Sequence, residues 1–80
     1  MDKKAEFETL QQLIDYLYRE QRYTTQLDVL ITAETFDLAQ DLMEIVRLLP
    51  PGSYQRQRLC DQLNSALVGH GWGFVYGTVE

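Results

Sequence analysis

The sequence predicts an α+β domain: three helices packed with a small two-stranded sheet, in the order α-β-α-α-β. Three observations predict it. Apolar residues recur at helical spacing over 5–21 and again over 34–49. Pro50 and Pro51 stop the second of these patterns and set a third helix apart from it. Two short stretches, 26–32 and 72–79, carry the β-branched and aromatic residues that suit strands. At 80 residues the chain is a single domain, 1–80, with a thin core.

The first helix is predicted over 5–21, where Phe7, Leu10, Leu13, Ile14, Leu17 and Tyr18 fall on one stripe. Asp2, Glu6 and Glu8 lie near its start and Arg19 and Arg22 near its end, as the helix dipole favours. A strand is predicted over 26–32, with Leu27, Val29 and Ile31 on one side. The second helix, 34–49, carries Phe36, Leu38, Ala39, Leu42, Met43, Ile45, Val46 and Leu49 over a wide arc. Such an arc packs on two sides, so this helix is expected at the centre. Thr32 or Thr35 can cap it. Ser53 is the expected cap of the third helix, 54–68, and Gly69 its stop. The predicted core is Leu10, Leu13, Ile14, Leu17, Leu38, Leu42, Ile45, Val46, Leu49, Leu59, Leu63 and Leu67.

The final strand, 72–79, alternates bulk with glycine. Trp72, Phe74, Tyr76 and Thr78 would face one side, and Gly73, Val75, Gly77 and Val79 the other. The aromatic side can pack on the helices or serve as a contact surface, since Trp and Tyr are frequent interface anchors. A sheet of only two strands is marginal by itself and leaves edges open. That favours a homodimer, or a protein partner that adds a strand.

A net charge of −5 and 45% apolar residues suit a folded, acidic, cytoplasmic protein with no membrane span. An acidic surface repels phosphate backbones and suits a basic protein partner. Glu34, Asp37, Asp41 and Glu44 are spaced three, four and three apart and would line one stripe of the second helix. The plain reading is a solvated face, and the functional one is an electrostatic guide for a basic partner. A single helical face cannot wrap a metal ion, and no loop matches the calcium-binding pattern, so no metal and no cofactor is expected.

Catalytic signatures are lacking. The lone Cys60 sits among Leu59, Leu63 and Leu67, as a buried thiol does, and His70 is the single histidine. A Cys60–His70 nucleophile pair is the weakest of the readings. The expectation is a non-enzymatic interaction module, an adaptor, inhibitor or regulator. Its contact residues would be Trp72, Phe74 and Tyr76 together with the stripe Glu34, Asp37, Asp41 and Glu44.

The alternative uses the 54–68 helix on nucleic acid through Tyr54, Arg56 and Arg58. The order of elements is similar to that of winged-helix domains, which implies a recognition helix at 54–68. The stretch lacks a basic stripe, and two arginines do not offset a charge of −5, so nucleic acid is the less favoured partner.

Overall fold

The computed structural model describes residues 3–71 and 76–80. Its elements are α1 (Lys3–Leu17), β1 (Tyr23–Thr25), α2 (Gln26–Thr35), α3 (Gln40–Arg47), β2 (Ser53–Gln55) and α4 (Arg56–Gly69). The class is α+β with a small sheet. The chain is two helix–strand–helix units in tandem, α1-β1-α2 and α3-β2-α4. In each unit five residues, 18–22 or 48–52, link the first helix to the strand.

The strands join the units. They pair antiparallel with Tyr23 opposite Gln55, Thr24 opposite Tyr54 and Thr25 opposite Ser53. Side chains alternate across the ribbon, so Thr24 and Tyr54 point into the core while the flanking residues stay exposed. Each strand runs directly into a helix. The Gln26 N–H donates to the Gly52 carbonyl at 3.2 Å, and the Gln26 side-chain amide donates to the Leu49 carbonyl at 3.1 Å.

The sheet is therefore built from other residues than those expected. Segment 26–32 is helical. Thr25 caps α2, its hydroxyl accepting the Asp28 N–H at 3.1 Å. Helical spacing buries Val29 and Ala33, four residues apart, and turns Leu27 and Ile31 outward. A strand would have put Leu27, Val29 and Ile31 on one side. Of the expected strand 72–79, residues 72–75 lie outside the described residues, and 76–80 form no strand. Ser53 is a strand residue; the residue at the N-cap of α4 is Gln55.

The expected helix 34–49 is broken. Asp37 adopts φ 54°, a left-handed conformation that few residues other than glycine tolerate. The Asp37 N–H donates to the Glu34 carbonyl and the Leu38 N–H to the Ala33 carbonyl, which is the Schellman closure of α2. Leu38 and Ala33, the two residues this closure brings together, are both buried. α3 then packs against α1, α2 and α4, the central place expected for its segment.

α1 stops at Leu17 rather than near 21, leaving Arg19 and Arg22 beyond its last turn. Tyr18 leaves the helix to donate its hydroxyl to the Tyr54 carbonyl at 2.8 Å. All twelve expected core residues are buried, and the core also takes in Val29, Ala33, Met43, Tyr54, Cys60, Tyr76 and Val79.

Two predictions test this architecture. Asp37→Gly relieves the left-handed strain and is expected to raise the urea-unfolding free energy by up to about 1 kcal/mol. A loss of about 1 kcal/mol, the cost of glycine inside a helix, would mean an unbroken 34–49 helix. Burial pushes the Tyr18 phenol from 10.0 up to about 12. The folded state therefore favours the protonated form. Its contribution is whole below about pH 10 and is lost as pH rises through about 12. Tyr18→Phe is expected to flatten that part of the stability–pH curve, measured by denaturant midpoints across the range.

Candidate protein-interaction surface

The outward side of α2 carries Leu27 and Ile31 among exposed polar residues, because helical geometry separates them from the buried Val29. Leu27 and Ile31, one turn apart on α2, are 62% and 53% exposed, and Tyr23 of the preceding β1 is 54% exposed. The next face of the same helix, with Asp28 and Thr32, lines a concavity of about 530 Å³. Its other wall is the end of α1 and the adjoining link, with Tyr16, Leu17, Arg19, Glu20 and Gln21. Tyr16 stands edge-on to Phe36 at a centroid distance of 5.4 Å, which ties α1 to the closing turn of α2. Apolar stripe and charged concavity thus lie side by side on one helix.

The acidic residues expected on one stripe are spread over three settings. Glu34 is on α2, Asp37 in the turn, and Asp41 and Glu44 on α3. Glu34, Asp37 and Glu44 are exposed. Asp41 is half-buried and accepts from the Lys3 ammonium at 2.9 Å. That bond, and a second from Lys3 to the Tyr76 hydroxyl, hold the ammonium above its ordinary value.

Of the expected aromatic contacts, Trp72 and Phe74 lie outside the described residues. Tyr76 is buried, stacked on Phe7 at 5.8 Å with the rings 18° from parallel. Its hydroxyl donates to the Glu6 carboxylate at 3.0 Å. Burial pushes its phenol up, and the bond to Glu6 adds to that shift against the pull of Lys3.

The residues considered for nucleic acid are not displayed together. Tyr54 is in the core and donates to the Pro50 carbonyl. Arg56 is half-buried, pairs with Asp15 and donates to the Glu80 main-chain oxygen. Arg58 is exposed. The five-residue links occupy the place where a calcium-binding helix–loop–helix carries its ligands. Counted back from the strands, those ligand positions hold Leu17, Arg19, Gln21, Tyr23, Thr25 and Asp28 in one unit. In the other they hold Arg47, Leu49, Pro51, Ser53, Gln55 and Arg58. One carboxylate among twelve positions does not make a hard-cation site. Among the described residues no three His, Cys, Asp or Glu side chains gather as a metal site.

Cys60 is 2% exposed. Burial, the largest influence, pushes its thiol up, with Arg56 opposing. His70 caps the far end of α4. Ten residues of helix separate the two side chains' origins by about 15 Å along the axis, too far for proton transfer between them. No helix among the described residues is long and apolar enough to cross a membrane.

No protein-family profile matches the sequence, and no curated protein or solved structure aligns with it. The α2 face escaped sequence reasoning because Leu27, Val29 and Ile31 read as one side of a strand. The four-residue spacing of Leu27 and Ile31 is the signal that points to it.

The thiol supplies a direct check. Iodoacetamide at pH 8 is expected to alkylate Cys60 in the folded chain more than about tenfold slower than in the chain unfolded by urea, followed by mass spectrometry. Comparable rates in the two states would mean an accessible, reactive thiol.

Proposed function

We propose that the protein is a non-enzymatic interaction module that docks another protein on the outward face of α2. The observation that carries the proposal is the run of exposed Tyr23, Leu27 and Ile31. Scattered single apolar residues need no explanation, but Leu27 and Ile31, one turn apart on α2, together with the exposed Tyr23 of the adjoining β1, make a surface that a partner helix or sheet can cover. The concavity beside it adds polar groups that would set orientation at the rim.

Charge supports a basic partner. The net charge is −5. Asp28, Glu34, Asp37 and Glu44 are exposed on or beside α2 and α3. They would act on the encounter rate more than on final affinity. A cytoplasmic setting agrees with a single buried free thiol.

The test is photocrosslinking in the cells that make the protein. A photoreactive residue is placed at Leu27 or Ile31, and at the exposed Ser65 of α4 as control. One discrete heavier species is expected from positions 27 and 31 and none from 65. Equal adducts at all three sites, or none, would sink the proposal. Leu27→Ser with Ile31→Ser is expected to abolish the adduct from a photoreactive residue placed at position 23 while changing stability by no more than about 0.5 kcal/mol, because both side chains are already exposed.

A further inference from the structure

The two helix–strand–helix units complete each other. β1 finds its ladder partner in β2, and α3 packs on both helices of the first unit. The Tyr18 hydroxyl donates to the Tyr54 carbonyl at 2.8 Å, and the Lys3 ammonium to the Asp41 carboxylate at 2.9 Å. The Gln26 side-chain amide donates to the Leu49 carbonyl at 3.1 Å. All of these cross from one unit to the other, yet the covalent join is only residues 36–39. None of them requires that both units belong to one chain.

The join is weakly built as a turn. Asp37 is exposed and sits at φ 54°, in the region where an L side chain crowds the backbone. α3 then starts from Ala39, whose side chain offers no cap to the first N–H groups of the helix. No glycine or proline occurs from Gln26 to Leu49, whereas the 48–52 link carries Pro50, Pro51 and Gly52. Apolar residues also run through the break at helical spacing. Val29, Ala33, Phe36, Ala39, Met43 and Val46 follow at intervals of four, three, three, four and three. Straightened, the stretch returns Asp37 to the right-handed region and gives the N–H groups of residues 40–42 the carbonyls of residues 36–38.

We propose that a second copy of this chain is a partner of the protein, bound by exchange of units. In the dimer α2 and α3 fuse into one helix over 26–47. The α1-β1-α2 unit of each copy closes on the α3-β2-α4 unit of the other, an isologous arrangement. Contacts between units are made twice, across chains, so the balance rests on the hinge and on chain concentration. In the monomer each unit meets the other at an effective concentration on the order of millimolar. Release of a left-handed residue favours the straight hinge by a factor of about ten, and a dimer opens two hinges, which squares the factor. Opposing it, straightening returns Glu34, Asp37, Asp41 and Glu44 to one helical face, where like charges repel. The exchange does not depend on what docks on α2.

The test refolds the full chain from urea at about 1 mM, near the effective concentration, and reads its mass by size exclusion with light scattering. The native chain is expected to yield a dimer that persists on dilution, because return requires the units to open. Asp37→Ala penalises the left-handed turn and favours helix, and is expected to raise the dimerisation constant at least about tenfold. Asp37→Gly does the reverse and is expected to lower it at least about tenfold. Exchange is read by crosslinking one chain carrying Tyr23→Cys to another carrying Gln55→Cys, positions that face each other across the ribbon. Cys60 is buried and is left in place. A short bismaleimide is expected to join the two chains after they are refolded together, and not after they are refolded apart and mixed. A native chain that stays monomeric at this concentration would overturn the proposal. A dimer indifferent to Asp37→Gly, or one in which positions 23 and 55 of different chains do not crosslink, would overturn it in favour of side-by-side contact. If Asp37→Ala does not fold, the native chain and Asp37→Gly decide between these outcomes.

Discussion

The structure depends on the three-residue ribbon between β1 and β2, and within it on the pair Thr24 and Tyr54. Two strands this short are not stable alone. Here they are fixed by their surroundings. The Tyr54 ring is buried, its hydroxyl donates to the Pro50 carbonyl, and its own carbonyl accepts from Tyr18. One residue thus connects the link before β2 to the end of α1. The two helix–strand–helix units are held at their strands, and four helices are free to close around one core.

The ribbon also explains why α2 begins where it does. β1 ends at Thr25, and the paired backbone delivers Thr25 in the extended conformation that an N-cap requires. From that start, helical geometry turns Val29 and Ala33 toward α1 and α3 and leaves Leu27 and Ile31 outside. The exposed apolar face is a consequence of register, since the core accepts one stripe of a segment that is apolar on two. The same closure that ends α2 at Asp37 scatters the acidic residues. Glu34 and Glu44 belong to different helices, so any electrostatic guidance comes from a broad field and not from a row of carboxylates.

At the other end of the molecule the last residues are secured by backbone-directed bonds from Gln11, Asn64 and Arg56. Only Tyr76 and Val79 enter the core as side chains. The protein thus presents two kinds of surface. One is the outward side of α2 with Leu27 and Ile31 exposed, and the other is the segment 76–80 held on α1 and α4.

By itself the sequence determined the set of residues that must be inside. Leu10, Leu13, Ile14 and Leu17 mark α1 by spacing alone, Leu59, Leu63 and Leu67 mark α4, and Pro50 with Pro51 separates α3 from β2 and α4. These positions depend on helical period and on the missing proline N–H, both local properties. Tertiary structure decided the rest. The run from Leu27 to Ile31 satisfies a strand pattern and a helix pattern alike, and only the pairing of Tyr23–Thr25 with Ser53–Gln55, about thirty residues away, selects the helix. The break at Asp37 has the same origin. The apolar periodicity passes unbroken from Ala33 to Leu49, and the chain turns because α3 must reverse direction to bring β2 against β1. The place of Tyr76 was likewise decided by Phe7, Glu6 and Lys3, partners about seventy residues distant that no local pattern specifies.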